Sequence, residues 1–238
     1  MSGNIHQYRT ALEAELAPKL AERGLLVAPH WSDDEVLMFA GQVDAAPGVA
    51  ASVYVIVEYI KGAHRLYGSA SLISIDAGKV IRGLPRAARM AEWGETDLDL
   101  GLMDLTIFSD HIDPGEYDLY AMYDVAEVVD AARWFMRCVD GPVGDWLSQR
   151  DSLTKLLAQA RRPRENAVND QSPRAQLVRT TVIVSALNER LADAAGLMGW
   201  YLQTGLFSEV DSYEQATAFD AALRERFPGY AQARTLMS

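Results

Sequence analysis

A single cysteine, Cys138, stands in a chain of 238 residues. A lone thiol excludes an intramolecular disulfide and fits a reducing compartment. Long hydrophobic runs are missing too. The longest, Val49 to Ile60, is interrupted by Ser52 and Glu58 and is too short to span a bilayer. The opening residues, Met-Ser-Gly-Asn-Ile-His-Gln-Tyr-Arg, hold no apolar signal core. No Gly-x-Ser-x-Gly elbow, glycine-rich phosphate loop or His-Glu-x-x-His is present. Together these absences predict a soluble, cytoplasmic protein with no cofactor.

The most telling absence is local. From Met90 to Ala132, forty-three residues, there is no lysine or arginine, and there are twelve carboxylates. They are Glu92, Glu95, Asp97, Asp99, Asp104, Asp110, Asp113, Glu116, Asp118, Asp124, Glu127 and Asp130. The chain's net charge is −11, so the rest of the sequence sums to about neutral. Apolar residues alternate through the run (Leu98, Leu100, Leu102, then Tyr117, Leu119, Ala121, Tyr123), which predicts folded strands rather than a disordered acidic tail. A pI near 4.8 also argues against direct nucleic-acid binding, which needs clustered lysine and arginine.

Hydrophobic residues make up 49% of the chain and charged residues 23%, a globular balance with enough length for a large core. Residues 4–23 read as an amphipathic helix. Leu12, Leu16 and Leu20 recur every four residues, Pro18 interrupts the pattern, and Gly24 stands at the left-handed C-terminal cap. The period then changes to two. Glu35–Gly41, Ala51–Ile60, Leu66–Ile75, Asp97–Phe108 and Tyr117–Tyr123 are expected strands. Ala51–Ile60 is apolar on both faces and is placed centrally, with a hairpin at Lys61-Gly62-Ala63-His64. Pro85 is expected to open a short helix carrying Arg86 and Arg89.

After Asp124, a capping residue, the chain reads as helical. Gly141-Pro142 should break the first helix, a second should run to about Ala160, and Ser172-Pro173 should start a long one. Another is expected over residues 211–226. Arg161 to Pro173 is polar, holds two prolines and lacks an apolar period. The expected architecture is α+β: an N-terminal helix, an antiparallel sheet of about five strands, then a C-terminal helical region. The expected domains are 1–161, a linker at 162–173, and a helical subdomain at 174–238. Trp200, Phe207, Ala216 and Pro228 fall at tetratricopeptide spacing, but Gln203-Thr204 replaces the Leu-Gly of that signature and no second copy precedes it. That pattern is read as a helical hairpin.

Fixed acids on a folded surface point to a basic protein partner, and the expected partner-binding residues are Asp97, Asp99, Asp104, Asp110, Asp113, Glu116 and Asp118. The plain alternative is a solvated face that serves solubility. A rival class is a hydrolase-like enzyme using carboxylates around Asp110–Asp118 as acid/base groups or metal ligands. His111 adds an imidazole there, but the other histidines (His6, His30, His64) lie far off in sequence, and the acids miss the alternating spacing of a calcium loop. A turn at Asp113-Pro114-Gly115 accounts for these residues without a metal. A third class is a scaffold that self-associates through 174–236. Lys79, Arg82, Arg86 and Arg89 form a small basic run, expected to pair with the carboxylates after it. Cys138 comes late in its helix, where the dipole does not favour a thiolate, so it is expected to be buried and inert.

Overall fold

The computed structural model describes residues 5–28, 32, 36–90, 106–107, 119–163, 172–207 and 211–237. The chain divides into two compact units, one from Met1–Gln42, Ala50–Leu72 and Leu105–Ser148, the other from Val43–Val49, Ile73–Asp104 and Gln149–Ser238.

The first unit begins with helix α1 (Ile5–Ala21), whose Tyr8, Leu12, Leu16 and Leu20 are buried along one stripe. Four-residue spacing keeps them on one face, so the three leucines and the tyrosine form a continuous apolar ridge. The ridge packs on strands β2 (Val36–Gln42) and β3 (Ala50–Ile60) and on a later helix, α3 (Val128–Cys138). Pro18 sits in the last turn of α1 without ending it.

The strand pairs β1–β2, β2–β3, β4–β5 and β4–β6 are antiparallel, and the sheet has the order β1-β2-β3-β4-β5, with β6 also pairing β4. Here β1 is Leu26–Val27, β4 Ala63–Ile73, β5 Thr106–Ile107 and β6 Tyr120–Met122. The fold is thus α+β, as the order of periodicities implies. Strand β3 is central, and its Val53, Val55 and Val57 are fully buried. Lys61 and Gly62, at φ 51° and 90°, form the two-residue loop between β3 and β4. Positive φ at both loop positions matches the right-handed twist of the strands. The expected strand from Leu66 therefore begins three residues earlier. Only Thr106 and Ile107 of the expected Asp97–Phe108 strand belong to the described residues.

Gly41 shows why a glycine is needed in β2. A Cβ built there lies 2.1 Å from the Gly24 carbonyl oxygen, where the turn after α1 passes under the strand. Gly41→Ala is therefore expected to destabilise the unit by about 1–3 kcal/mol through forced backbone displacement. Urea unfolding of the variant checks this, and an unchanged midpoint would contradict the close approach.

Asp124 does cap the helical region, but through a 3₁₀ turn: its Oδ1 accepts the Ala126 N–H at 2.8 Å ahead of Val125–Glu127. The extra tight turn rotates the phase of α3. Val128, Ala131, Ala132, Phe135 and Cys138 face inward, while Val129 is exposed. Gly141-Pro142 breaks the helix within a π turn (Val139–Val143), where Asp140 takes a two-pronged ion pair from Arg23.

The second unit is mostly helical. The expected strand end at Ile75 is instead the start of α2 (Ile75–Arg82), because the Ser74 side chain accepts the Ala77 N–H and caps it. Among the described residues the segment after Pro85 makes a 3₁₀ turn, Arg86–Ala88. The expected helix ending near Ala160 is split into α4 (Gly144–Ser148), which ends the first unit, and α5 (Leu153–Gln159), which Ser152 caps in the second. Residues 164–171 of the expected linker lie outside the described residues, and Pro163 and Pro173 pair across them in an isolated bridge. The expected long helix from Ser172-Pro173 is α6 (Ala175–Leu187) followed, after a break at Glu189 with φ 59°, by α7 (Leu191–Thr204). Helix α8 (Tyr213–Arg226) starts with a reciprocal capping box between Ser212 and Gln215, and α9 (Pro228–Leu236) has Pro228 in its first turn. The helix expected over residues 211–226 is thus α8, and Pro228 opens one more helix within the helical region.

Candidate functional site

Of the twelve acids, Glu92, Glu95, Asp97, Asp99, Asp104, Asp110, Asp113, Glu116 and Asp118 lie outside the described residues, as does His111. That set contains every expected partner-binding residue. The other three acids sit at the entry to α3, and each has a local task. Asp124 caps the 3₁₀ turn, Glu127 Oε2 accepts the Tyr123 N–H at 2.7 Å, and Asp130 pairs with Arg133 one turn on. Carboxylates at a helix start complement its dipole. Beside them Tyr123 is 73% exposed and Val129 48%. This end of the run is therefore a set of helix-start acids next to an exposed ring and an exposed aliphatic side chain. That mixture of aromatic and charge is common at interface rims and anchors.

The carboxylates that follow the small basic run lie outside the described residues. Lys79 pairs with Asp76, which precedes it, and Arg89 donates to the carbonyls of Leu84 and Arg82 at 3.0 and 2.6 Å. Cys138 is buried as expected. Burial pushes its thiol pKa up, against a smaller downward pull from Arg137, so it is a poor nucleophile. Among the described residues no group of three or more His, Cys, Asp or Glu is placed to hold a metal ion.

Two buried charge clusters in the helical unit are invisible to periodicity. In the first, Arg179 on α6 is completely buried. Its Nε donates to Asp211 Oδ2 at 2.9 Å, its Nη2 donates to Asp211 Oδ1, and its Nη1 donates to the Ala88 carbonyl at 2.8 Å. The guanidinium also lies 4.8 Å from the centre of the Phe219 ring. The Tyr201 hydroxyl donates to the same carboxylate at 2.8 Å. Burial lowers the pKa of Arg179, while Asp211 pulls it back up. Burial raises Asp211, and Arg179 and Tyr201 oppose the rise. Tyr201 is raised by burial and by the adjacent carboxylate, so it stays a donor. The cluster joins α6, α7, the start of α8 and the 3₁₀ turn at Arg86–Ala88. A signal for it does exist in the sequence: Arg179 is the one charge inside the apolar run Ala175–Leu187. Such a charge is buried only when paired.

In the second cluster, Asp220 on α8 accepts from Arg224 at 2.7 Å, from Arg234 at 3.1 Å and from the Tyr230 hydroxyl. Burial alone would raise the Asp220 pKa, but Arg234, Tyr230 and Arg224 together hold it below the usual carboxylate range. A carboxyl depressed in the folded state adds stability above its unfolded pKa near ~3.9, and that stability is lost as pH falls through the folded value. Asp220→Asn is therefore expected to cost about 2–4 kcal/mol at pH 7 and to lessen the loss of stability below pH ~4. Thermal melts of both proteins from pH 7 to 3 check it. An equally steep acid loss in the variant would contradict the assignment.

In both clusters a buried carboxylate is held by arginine and tyrosine donors of the same unit, the arrangement of a buried charge that is paired. Comparison with protein-family models, with curated proteins and with solved structures finds no match for this chain.

Proposed function

We propose that this chain is a non-enzymatic interaction protein whose acidic run binds a basic protein partner, in the manner of an antitoxin or immunity protein covering a cationic surface. The observation that carries the reading is the charge distribution. Twelve carboxylates fall in forty-three residues with no lysine or arginine, interleaved with apolar residues at strand spacing. Like charges fixed close together repel one another, and a basic partner relieves that repulsion while its opposed field speeds encounter. Three of the twelve are engaged in local capping and pairing, so the docking role falls on Asp97, Asp99, Asp104, Asp110, Asp113, Glu116 and Asp118, with Glu92 and Glu95 adding to the field. Exposed Tyr123 supplies an aromatic anchor next to them in sequence. The reading places the protein in the cytoplasm, without direct nucleic-acid contact.

The experiment is capture with the full chain as bait, followed by salt-dependent association kinetics with the partner recovered. The proposal expects a partner of high pI whose association slows as salt rises. An acidic partner, or association independent of salt, counts against it.

A further inference from the structure

The most unusual titratable group of the first unit is a histidine that faces the core. His64 is the second residue of strand β4 and is only 4% exposed. The Tyr8 ring of α1 stacks on the imidazole, with centroids 3.8 Å apart and planes 17° from parallel. The Tyr59 ring of β3, across the hairpin, sits at 5.0 Å and 50°. On its other side His64 pairs with Met122 of β6. Among the described residues neither ring nitrogen has a hydrogen-bond partner.

From this geometry we propose that His64 is an acid-sensitive latch: neutral, it is the seat on which α1 docks through Tyr8, and its protonation loosens the hold of the sheet on α1.

The charged surroundings are mixed. From α1 comes Tyr8; Arg9 follows it in sequence, and among the described residues its Nε has no hydrogen-bond partner. From β3 comes Tyr59, and β6 offers the non-titrating Met122. Arg65 follows on the same strand, and the turn before α3 brings Asp124 and Glu127, which act on Tyr8 and raise its pKa after burial has done so. Burial is the cause that acts on His64 itself, and it lowers the imidazole pKa from its usual 6.5. A histidine lowered in the folded state contributes its full stability above the unfolded pKa. Below that value the unfolded or opened form takes up a proton first, and stability falls with pH. The window opens below about pH 6.5, above the range where most carboxylates titrate.

The test is amide hydrogen exchange of the full chain at pH 7.5 and 5.5, corrected for intrinsic rates, with His64→Phe as the variant that keeps a flat ring. Protection of the α1 amides in the unsubstituted protein should fall by up to about tenfold at pH 5.5, the ratio set by one pH unit below the free imidazole pKa. In His64→Phe it should stay level, and His6→Gln, altering an exposed histidine, should behave like the unsubstituted protein. Unchanged protection in the unsubstituted protein, or an equal fall in His64→Phe, overturns the proposal. If His64→Phe does not fold, the imidazole proton shifts of the unsubstituted protein decide. A His64 inflection below 6.5 supports the latch, and one at or above 6.5 overturns it.

Discussion

Arg179→Ala should lower the stability of the helical unit by about 3–5 kcal/mol, a large share of the roughly 5–15 kcal/mol typical of a domain. Removal of the guanidinium does more than delete one ion pair. It leaves the Asp211 carboxylate buried with only Tyr201 to satisfy it, orphans the Ala88 carbonyl, and opens space against Phe219. Each of those is unfavourable, because a buried acceptor without a donor loses its hydration and recovers nothing. Asp211→Ala alone should cost a similar amount by stranding the cation instead. The double variant should cost clearly less than the sum of the two, since the second removal strands no further charge. Urea unfolding of the four proteins completes the cycle. A cost below about 1 kcal/mol for Arg179→Ala would mean that the charge is solvated rather than buried.

That cluster also shows where sequence reading stops. Leu12, Leu16 and Leu20 announce α1 because helix geometry maps a four-residue repeat onto one face, and the three buried leucines follow that rule. Strand β3 is equally legible, since a run apolar on both faces has no stable place at a sheet edge. The hairpin at Lys61-Gly62 is legible for a local reason, the positive φ that its loop demands. By contrast, α2 was hidden. Its Ile75, Val80 and Ile81 favour strands and Gly78 weakens a helix, so the Ser74 cap and burial on α6 decide the outcome. The Arg179–Asp211 pair is hidden for another reason. Its partners are thirty-two positions apart, and no local pattern links a lone arginine in one helix to an aspartate just before another. His64 is the same kind of case: hairpin register puts it opposite Tyr59, but only the docking of α1 makes it buried. The acidic run is the reverse, conspicuous in sequence because it is a matter of composition; among its described acids, Asp124, Glu127 and Asp130 have the local roles given above.

Charge reversal in the acidic run should have the second large effect, on binding rather than on folding. Asp97→Lys, Asp99→Lys and Asp118→Lys together change the net charge by six units, from −11 to −5. The docking account requires these carboxylates to face outward, and such groups contribute little to stability, so the melting temperature should hold within a few degrees. Association with a basic partner should slow by about tenfold or more at low salt, because steering by opposed fields raises association rates by 10–10³-fold. The deficit should shrink as the Debye length falls toward about 3 Å near 1 M salt. Dissociation should change less, unless one of the three acids makes a desolvated pair, which would cost a further kcal/mol or so.

The most direct measurement is therefore the association rate constant of the unsubstituted protein and the triple reversal with the captured basic partner, across a salt series. The acidic docking account predicts a large rate difference at low salt that converges at high salt, with both proteins equally folded. Equal rates at low salt would contradict it, make the acidic run a solubility feature, and move the search for a partner site to the helices of residues 174–236.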